Sequence, residues 1–124
     1  MTALRILIAE DDALIAMSLS DLLEVLGHTI CAVTDTESAT IAAALLHHPD
    51  LMIVDEGLRN GSGIVAVQDI EMTLSVPHIF ATGDIYRVLK AEPNAIVLQK
   101  PYHATALLSA IERATPPAIG SLAL

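Results

Sequence analysis

The sequence predicts an α/β fold, a doubly wound five-stranded parallel sheet, and three observations carry that prediction. Five short apolar runs rich in Ile, Val and Leu recur along the 124 residues: LRILIA (4–9), TICAV (29–33), LMIVD (51–55), HIFAT (78–82) and AIVLQ (95–99). They are continuous and do not alternate with polar residues, as expected of strands covered on both faces. Segments with helical spacing lie between them, so strand and helix alternate along the chain.

The first helix is predicted over Ala13 to Leu26, where Ile15, Leu19, Leu22, Leu23 and Leu26 recur at spacings of three and four and Gly27 supplies the stop. Thr36 to Leu46 starts on a capping-type residue and is rich in alanine. Gly63 to Met72 and His103 to Ala114 follow the same pattern, the last with Ala106, Leu107, Ala110, Ile111 and Ala114 on one side. Between Thr82 and Ala95 only DIYRVLKAEPN is available and Pro93 truncates it, so the fourth helix is expected to be short or poorly formed. The chain has the length of one domain, set at residues 1–114. The remainder, 115–124 (TPPAIGSLAL), has no periodicity and is expected to be a flexible C-terminal tail.

Composition removes several classes of function. Six basic against fifteen acidic residues give a formal charge of −9, with no Lys/Arg cluster to neutralise a row of phosphates, so no nucleic-acid partner is expected. Charges interrupt every apolar run well before the ~20 residues that span a bilayer, and MTALRILIAEDD has no secretory pattern; a cytoplasmic protein without a membrane partner is expected. The lone Cys31 forms neither an internal disulfide nor a paired-cysteine site and reads as a small core residue. The five histidines have no ligand spacing.

In open parallel sheets ligands bind outside the carboxyl ends of the strands. Here the first strand ends in Glu10-Asp11-Asp12, the third in Asp55, the fourth in Thr82, and the fifth runs into Lys100-Pro101. Carboxylates converging at one rim repel one another unless a cation joins them, and Mg²⁺ suits a site with two or three oxygens because it keeps waters and accepts phosphate oxygens. A hydroxyl and an ammonium opposite the metal complete a clamp for a phosphoryl group, which Asp55 would accept as an acyl phosphate.

AEDD at the first strand end, VDEGLRNGSG at the third, FATG at the fourth and QKPY after the fifth form an ordered set that resembles the response-regulator receiver domain over residues 4 to about 114. The resemblance implies a flavodoxin-like (CheY-like) sheet of strand order 2-1-3-4-5. It implies Asp55 as phosphoacceptor, Asp11 as a direct Mg²⁺ ligand, Glu10 as a second acid acting directly or through water, and Gly57 as donor of a backbone carbonyl to the metal. Thr82 and Lys100 would hold phosphoryl oxygens, with a cis bond before Pro101. PHIFATGD is also similar to the PFxFATG motif of a mostly single-domain subgroup nicknamed FAT GUY, with His78 for the first Phe and Asp84 where Gly or Tyr is usual. Val97 stands where many receivers carry a switching aromatic, which leaves Thr82 and Phe80 as switch candidates; Arg59 stands where a proline is frequent.

Each residue also has a plainer reading. Asp12 caps the first helix, Thr82 bonds backbone at a strand end, Lys100 is a solvated charge, Phe80 is core, NGSG is a turn, and Tyr102 and His103 lie on the surface of the last helix. The expected function is a single-domain response regulator: not an enzyme in the ordinary sense but a phosphoacceptor switch that catalyses its own phosphorylation and dephosphorylation. Its phosphoryl group would come from a histidine kinase or histidine phosphotransfer protein, and its output would be contact with an unknown downstream protein or onward transfer. Arg87, Lys90 and Arg113 would lie on the contact surface. Gly57 and Asp84 would tune the phosphoryl lifetime. The alternatives are a Mg²⁺-dependent phosphohydrolase with an aspartyl nucleophile, for which Gly57 replaces the usual second aspartate, and a degenerate receiver acting only by contact.

Overall fold

A computed structural model describes residues 2–116. Its strands are β1 (Arg5–Ala9), β2 (Thr29–Thr34), β3 (Leu51–Asp55), β4 (Gly57–Leu58), β5 (Gly61–Ser62), β6 (His78–Thr82) and β7 (Val97–Gln99). Its helices are α1 (Ala13–Val25), α2 (Glu37–His47), α3 (Gly63–Glu71), α4 (Ile85–Ala91) and α5 (Ala104–Ala114). The main sheet is parallel with order β2-β1-β3-β6-β7, which is 2-1-3-4-5 when its five strands alone are counted. Strand order reverses between β1 and β3, so the crevice for a ligand opens at their carboxyl ends.

The continuous apolar runs are explained by a two-sided core. Because side chains alternate across a strand, Leu7, Ala9, Met52, Val54 and Phe80 face one side, packed with Ala44 of α2, Val67 and Ile70 of α3 and Val88 of α4. Ile6, Ile8, Leu51, Ile53 and Ile79 face the other, packed with Leu19 and Leu23 of α1 and Leu107, Ala110 and Ile111 of α5. Each of these Val, Leu, Ile, Met and Phe side chains, removed from water, contributes about 1.5–3 kcal/mol before the entropy of ordering it is counted, and the alanines less. Cys31 packs half-buried against the first of these clusters.

Several helix boundaries follow from caps. Asp12 accepts from Leu14 N–H (3.0 Å) and Ile15 N–H (3.2 Å) at the start of α1, so its capping role holds, and Gly27 with φ 97° turns the chain after that helix. Thr36 Oγ1 accepts from Ala39 N–H (3.1 Å) and Ser62 Oγ from Ile64 and Val65, at the starts of α2 and α3. Asp84 caps α4, whose seven residues end at Ala91 because Glu92, the residue before Pro93, disfavours helical backbone. The short fourth helix is thus formed, though brief.

Some expectations shift. On α1 the buried stripe is Ala16, Leu19 and Leu23, while Ile15 is exposed; Ile15 instead lines an apolar groove of about 630 Å³ with Leu14, Leu22, Pro101 and Tyr102. Ala106 is exposed, one position off the face of α5 that Leu107, Ala110 and Ile111 bury. The last strand has three residues, since β7 pairs with β6 alone over Phe80–Thr82. NGSG does more than turn: Leu58 and Gly61 close an antiparallel β4–β5 ladder through Arg59 and Asn60, Asn60 having φ 54° and Gly61 φ 150°. That hairpin is tied to the β2–α2 loop by Arg59 Nη1 to Asp35 (3.0 Å) and by Ser62 N–H to Glu37 Oε1 (2.8 Å). Of the expected tail, Thr115 closes α5 by bonding Ile111 O (2.9 Å), and residues 117–124 lie outside the described residues. Among the described residues no helix is long and apolar enough to cross a membrane.

Candidate functional site

Register brings the polar strand ends together. Ala9 lies opposite Val54, so Glu10 comes level with Asp55; Asp55 lies opposite Ala81, which puts Thr82 one residue further along β6. Lys100 N–H donates to Thr82 O at 2.8 Å, bringing the base of the lysine to the same rim. Its bond to Pro101 is cis.

One oxygen each from Glu10, Asp11 and Asp55 lies within 4.8 Å of the others. Asp12 is not in that cluster, being committed to its helix cap. Lys100 Nζ donates to Glu10 Oε1 (2.6 Å) and Asp55 Oδ2 (2.9 Å), so it is no free surface charge. Two unit negative charges about 4 Å apart repel by about 4 kcal/mol at an effective dielectric of 20, and the ammonium offsets this. Burial raises the Glu10 carboxyl above the usual carboxylate range; the hydrogen bonds from Lys100 and from Asp12 N–H (3.1 Å) oppose that rise and Asp55 adds to it. Burial by itself would lower Lys100, but its bonds to Asp55 and Glu10 and their charges outweigh that and raise it. Tyr102, half-buried against the α1–α5 side of the core, is raised chiefly by burial. Three hard oxygens on a partly buried rim, with room left for water and phosphate oxygens, fit Mg²⁺.

The other expected residues are placed as follows. Gly57 N–H donates to Asp55 Oδ1 (3.0 Å), and a Cβ built on Gly57 would meet nothing within 4 Å. Thr82 is buried, and its hydroxyl accepts from Asp84 N–H (2.9 Å) while facing Asp84 O (3.2 Å) and Glu56 Oε1 (3.4 Å). Phe80 is fully buried in the core, edge-on to His78 with ring centroids 5.3 Å apart. Val97 beside it is half-buried. Arg87 is exposed at the start of α4 and reaches Glu56 Oε2 at 3.8 Å.

Two residues escaped the sequence reading. Glu56 has partners on β6 and α4, remote in the chain, so no local spacing marks it. Gly63 was expected to end the NGSG turn and begin the third helix, and it does begin α3, but it also lies hard against β3: a Cβ at Gly63 would collide with the Asp55 carbonyl oxygen and lie 2.7 Å from Val54 Cγ1.

Residues 6–112 match the response regulator receiver domain family. The chain is similar to the phyllosphere-induced regulator PhyR of Methylorubrum extorquens, 39% identical over 117 residues that make up 90% of this chain and 43% of that protein. It is also similar to the transcriptional regulatory protein PdtaR of Mycobacterium tuberculosis, 32% identical over 114 residues, 89% of this chain and 56% of that one. It therefore spans about half the length of these curated relatives. Among solved structures, the receiver domain of the Erythrobacter litoralis PhyR response regulator superposes with a TM-score of 0.83 at 32% identity, covering 96% of this chain and 98% of that one. Sheet order, the acidic rim and these similarities agree, and the chain belongs to the response regulator receiver domain family.

Proposed function

We propose that this receiver domain is a phosphorylatable switch whose phosphoacceptor is Asp55. The observation that carries the reading is the convergence of Glu10, Asp11, Asp55 and Lys100 at the point where strand order reverses. Glu10 and Asp11, with Asp55 and the Gly57 carbonyl, would hold Mg²⁺, which supplies charge neutralisation to a bound phosphoryl group. The Asp55 carboxylate oxygen forms the new O–P bond as the N–P bond of a donor phosphohistidine breaks and its electron pair leaves with the imidazole. Lys100 turns from Glu10 to a phosphoryl oxygen, and Thr82 donates its hydroxyl proton to another. The donor is a histidine kinase or histidine phosphotransfer protein in the cytoplasm. The output is contact with a downstream protein or onward transfer, through α4 and α5, where Arg87, Lys90 and Arg113 lie. Residues 1–114 form the switching module and 115–124 its tail.

Intact mass after incubation with Mg²⁺ and acetyl phosphate tests this. A gain of one phosphoryl group, lost with EDTA and in Asp55→Asn, supports the reading. An equal gain in Asp55→Asn refutes it.

A further inference from the structure

Thr82 Oγ1 is engaged on every side. It accepts from Asp84 N–H, and its single proton lies between Asp84 O at 3.2 Å and Glu56 Oε1 at 3.4 Å. A hydroxyl has one proton to give. Any acceptor at the Asp55 end of the site that takes it removes it from Glu56 and from the Asp84 carbonyl together.

Glu56 is poorly placed to ignore that loss. Its side chain is only 15% exposed, and its backbone is held on both sides, N–H to Ala81 O (3.3 Å) and carbonyl to Gly63 N–H (2.9 Å). The response therefore falls to the side chain. A half-hidden carboxylate oxygen without a donor is costly, and the nearest cation is Arg87, whose Nη1 lies 3.8 Å from Oε2, too long for a good hydrogen bond. Closing that gap moves either Arg87 or the helix that bears it. That helix, α4, has seven residues and buries only Val88, so packing holds it weakly.

We propose that Glu56 is a positioning residue that links Thr82 to Arg87, so that a phosphoryl group on Asp55 is read out as a rearrangement of α4. This rests on Asp55 being the phosphoacceptor. The relay needs no motion of buried Phe80, and it connects the site to an exposed surface that includes Tyr86 and Leu89.

The test uses the full chain with Mg²⁺ and beryllium fluoride as a phosphoryl mimic. Fluorine NMR reports occupancy of the site, and hydrogen-exchange mass spectrometry reports peptides covering residues 85–91. In the parent, occupancy should change α4 exchange by about fivefold or more, the lower range of ordinary coupling between sites. Glu56→Ala and Arg87→Ala should each lose most of that change while the bound-fluoride signal persists. Glu56→Gln, which keeps an acceptor for Thr82 but no charge for Arg87, should behave like Arg87→Ala. Arg87 is exposed, so its variant keeps the test valid if Glu56→Ala folds poorly. A full α4 response in Arg87→Ala with the site occupied overturns the relay, as does an unresponsive α4 in the occupied parent. No bound fluoride in the parent, or bound fluoride that persists in Asp55→Asn, instead overturns the phosphoacceptor reading and the relay with it.

Discussion

Lys100 Nζ lies 2.9 Å from Asp55 Oδ2 and at the same time 2.6 Å from Glu10 Oε1, so one ammonium bridges the ends of neighbouring strands. It occupies the electrostatic role that a divalent cation would share. Lys100→Ala leaves two acids facing each other; with Lys100 partly exposed, the expected loss of stability without metal is about 1–3 kcal/mol. Mg²⁺ should then raise the Tm of Lys100→Ala more than that of the parent. Thermal unfolding across a Mg²⁺ titration checks this, and an equal or smaller gain in the variant would show that ammonium and metal do not share the site.

Gly63 and Gly57 make opposite demands. A methyl at Gly63 drives into the Asp55 carbonyl, whereas a methyl at Gly57 meets nothing. Gly63→Ala should cost about 1–3 kcal/mol, the usual range for overpacking, and Gly57→Ala should stay within about 0.5 kcal/mol of the parent. Urea unfolding of the two variants decides it.

The open space at Gly57 also bears on lifetime, since water attacking an acyl phosphate on Asp55 has a clear side from which to approach. Gly57→Leu should lengthen the phosphoryl half-life severalfold, followed by loss of the phosphorylated mass after donor removal. An unchanged half-life would place the water's approach elsewhere.

His28 supplies a pH dependence. Leu4 N–H donates to its Nδ1 (3.0 Å), so the neutral ring carries its proton on Nε2, which is buried without a partner among the described residues. Burial lowers its pKa below 6.5. The folded state thus prefers neutral imidazole: its contribution to stability is present above about pH 6.5, the unfolded value, and is lost as pH falls through the lower folded value. Unfolding at pH 7.5 and pH 5 should show a smaller acid penalty in His28→Gln, which keeps an acceptor for Leu4. An undiminished penalty would assign the acid sensitivity to other groups.

The strands and the acidic rim were legible because they rest on local signals: apolar runs, a capping aspartate, and carboxylates where those runs stop; the strand order followed from the resemblance that the ordered motifs carry. Asp12 as cap and the brief α4 ending before Pro93 follow from such rules. What stayed hidden depends on remote partners. Nothing near Glu56 announces that Thr82 and Arg87 will meet it, and nothing near Gly63 shows that its missing side chain makes room for the Asp55 carbonyl. Ile15 fits the helical period of α1 as well as Ala16 does; only the position of the groove beside Pro101 and Tyr102 decides which of them is buried.

Asp55, and no other carboxylate of the rim, should carry the phosphoryl group. Reducing the phosphorylated protein with borohydride converts an aspartyl phosphate to homoserine at the modified position, which peptide mass spectrometry locates. Homoserine should appear at position 55 alone, dependent on Mg²⁺ and donor. Homoserine at another aspartate of the rim, or a phosphorylated protein with position 55 unreduced, would contradict it.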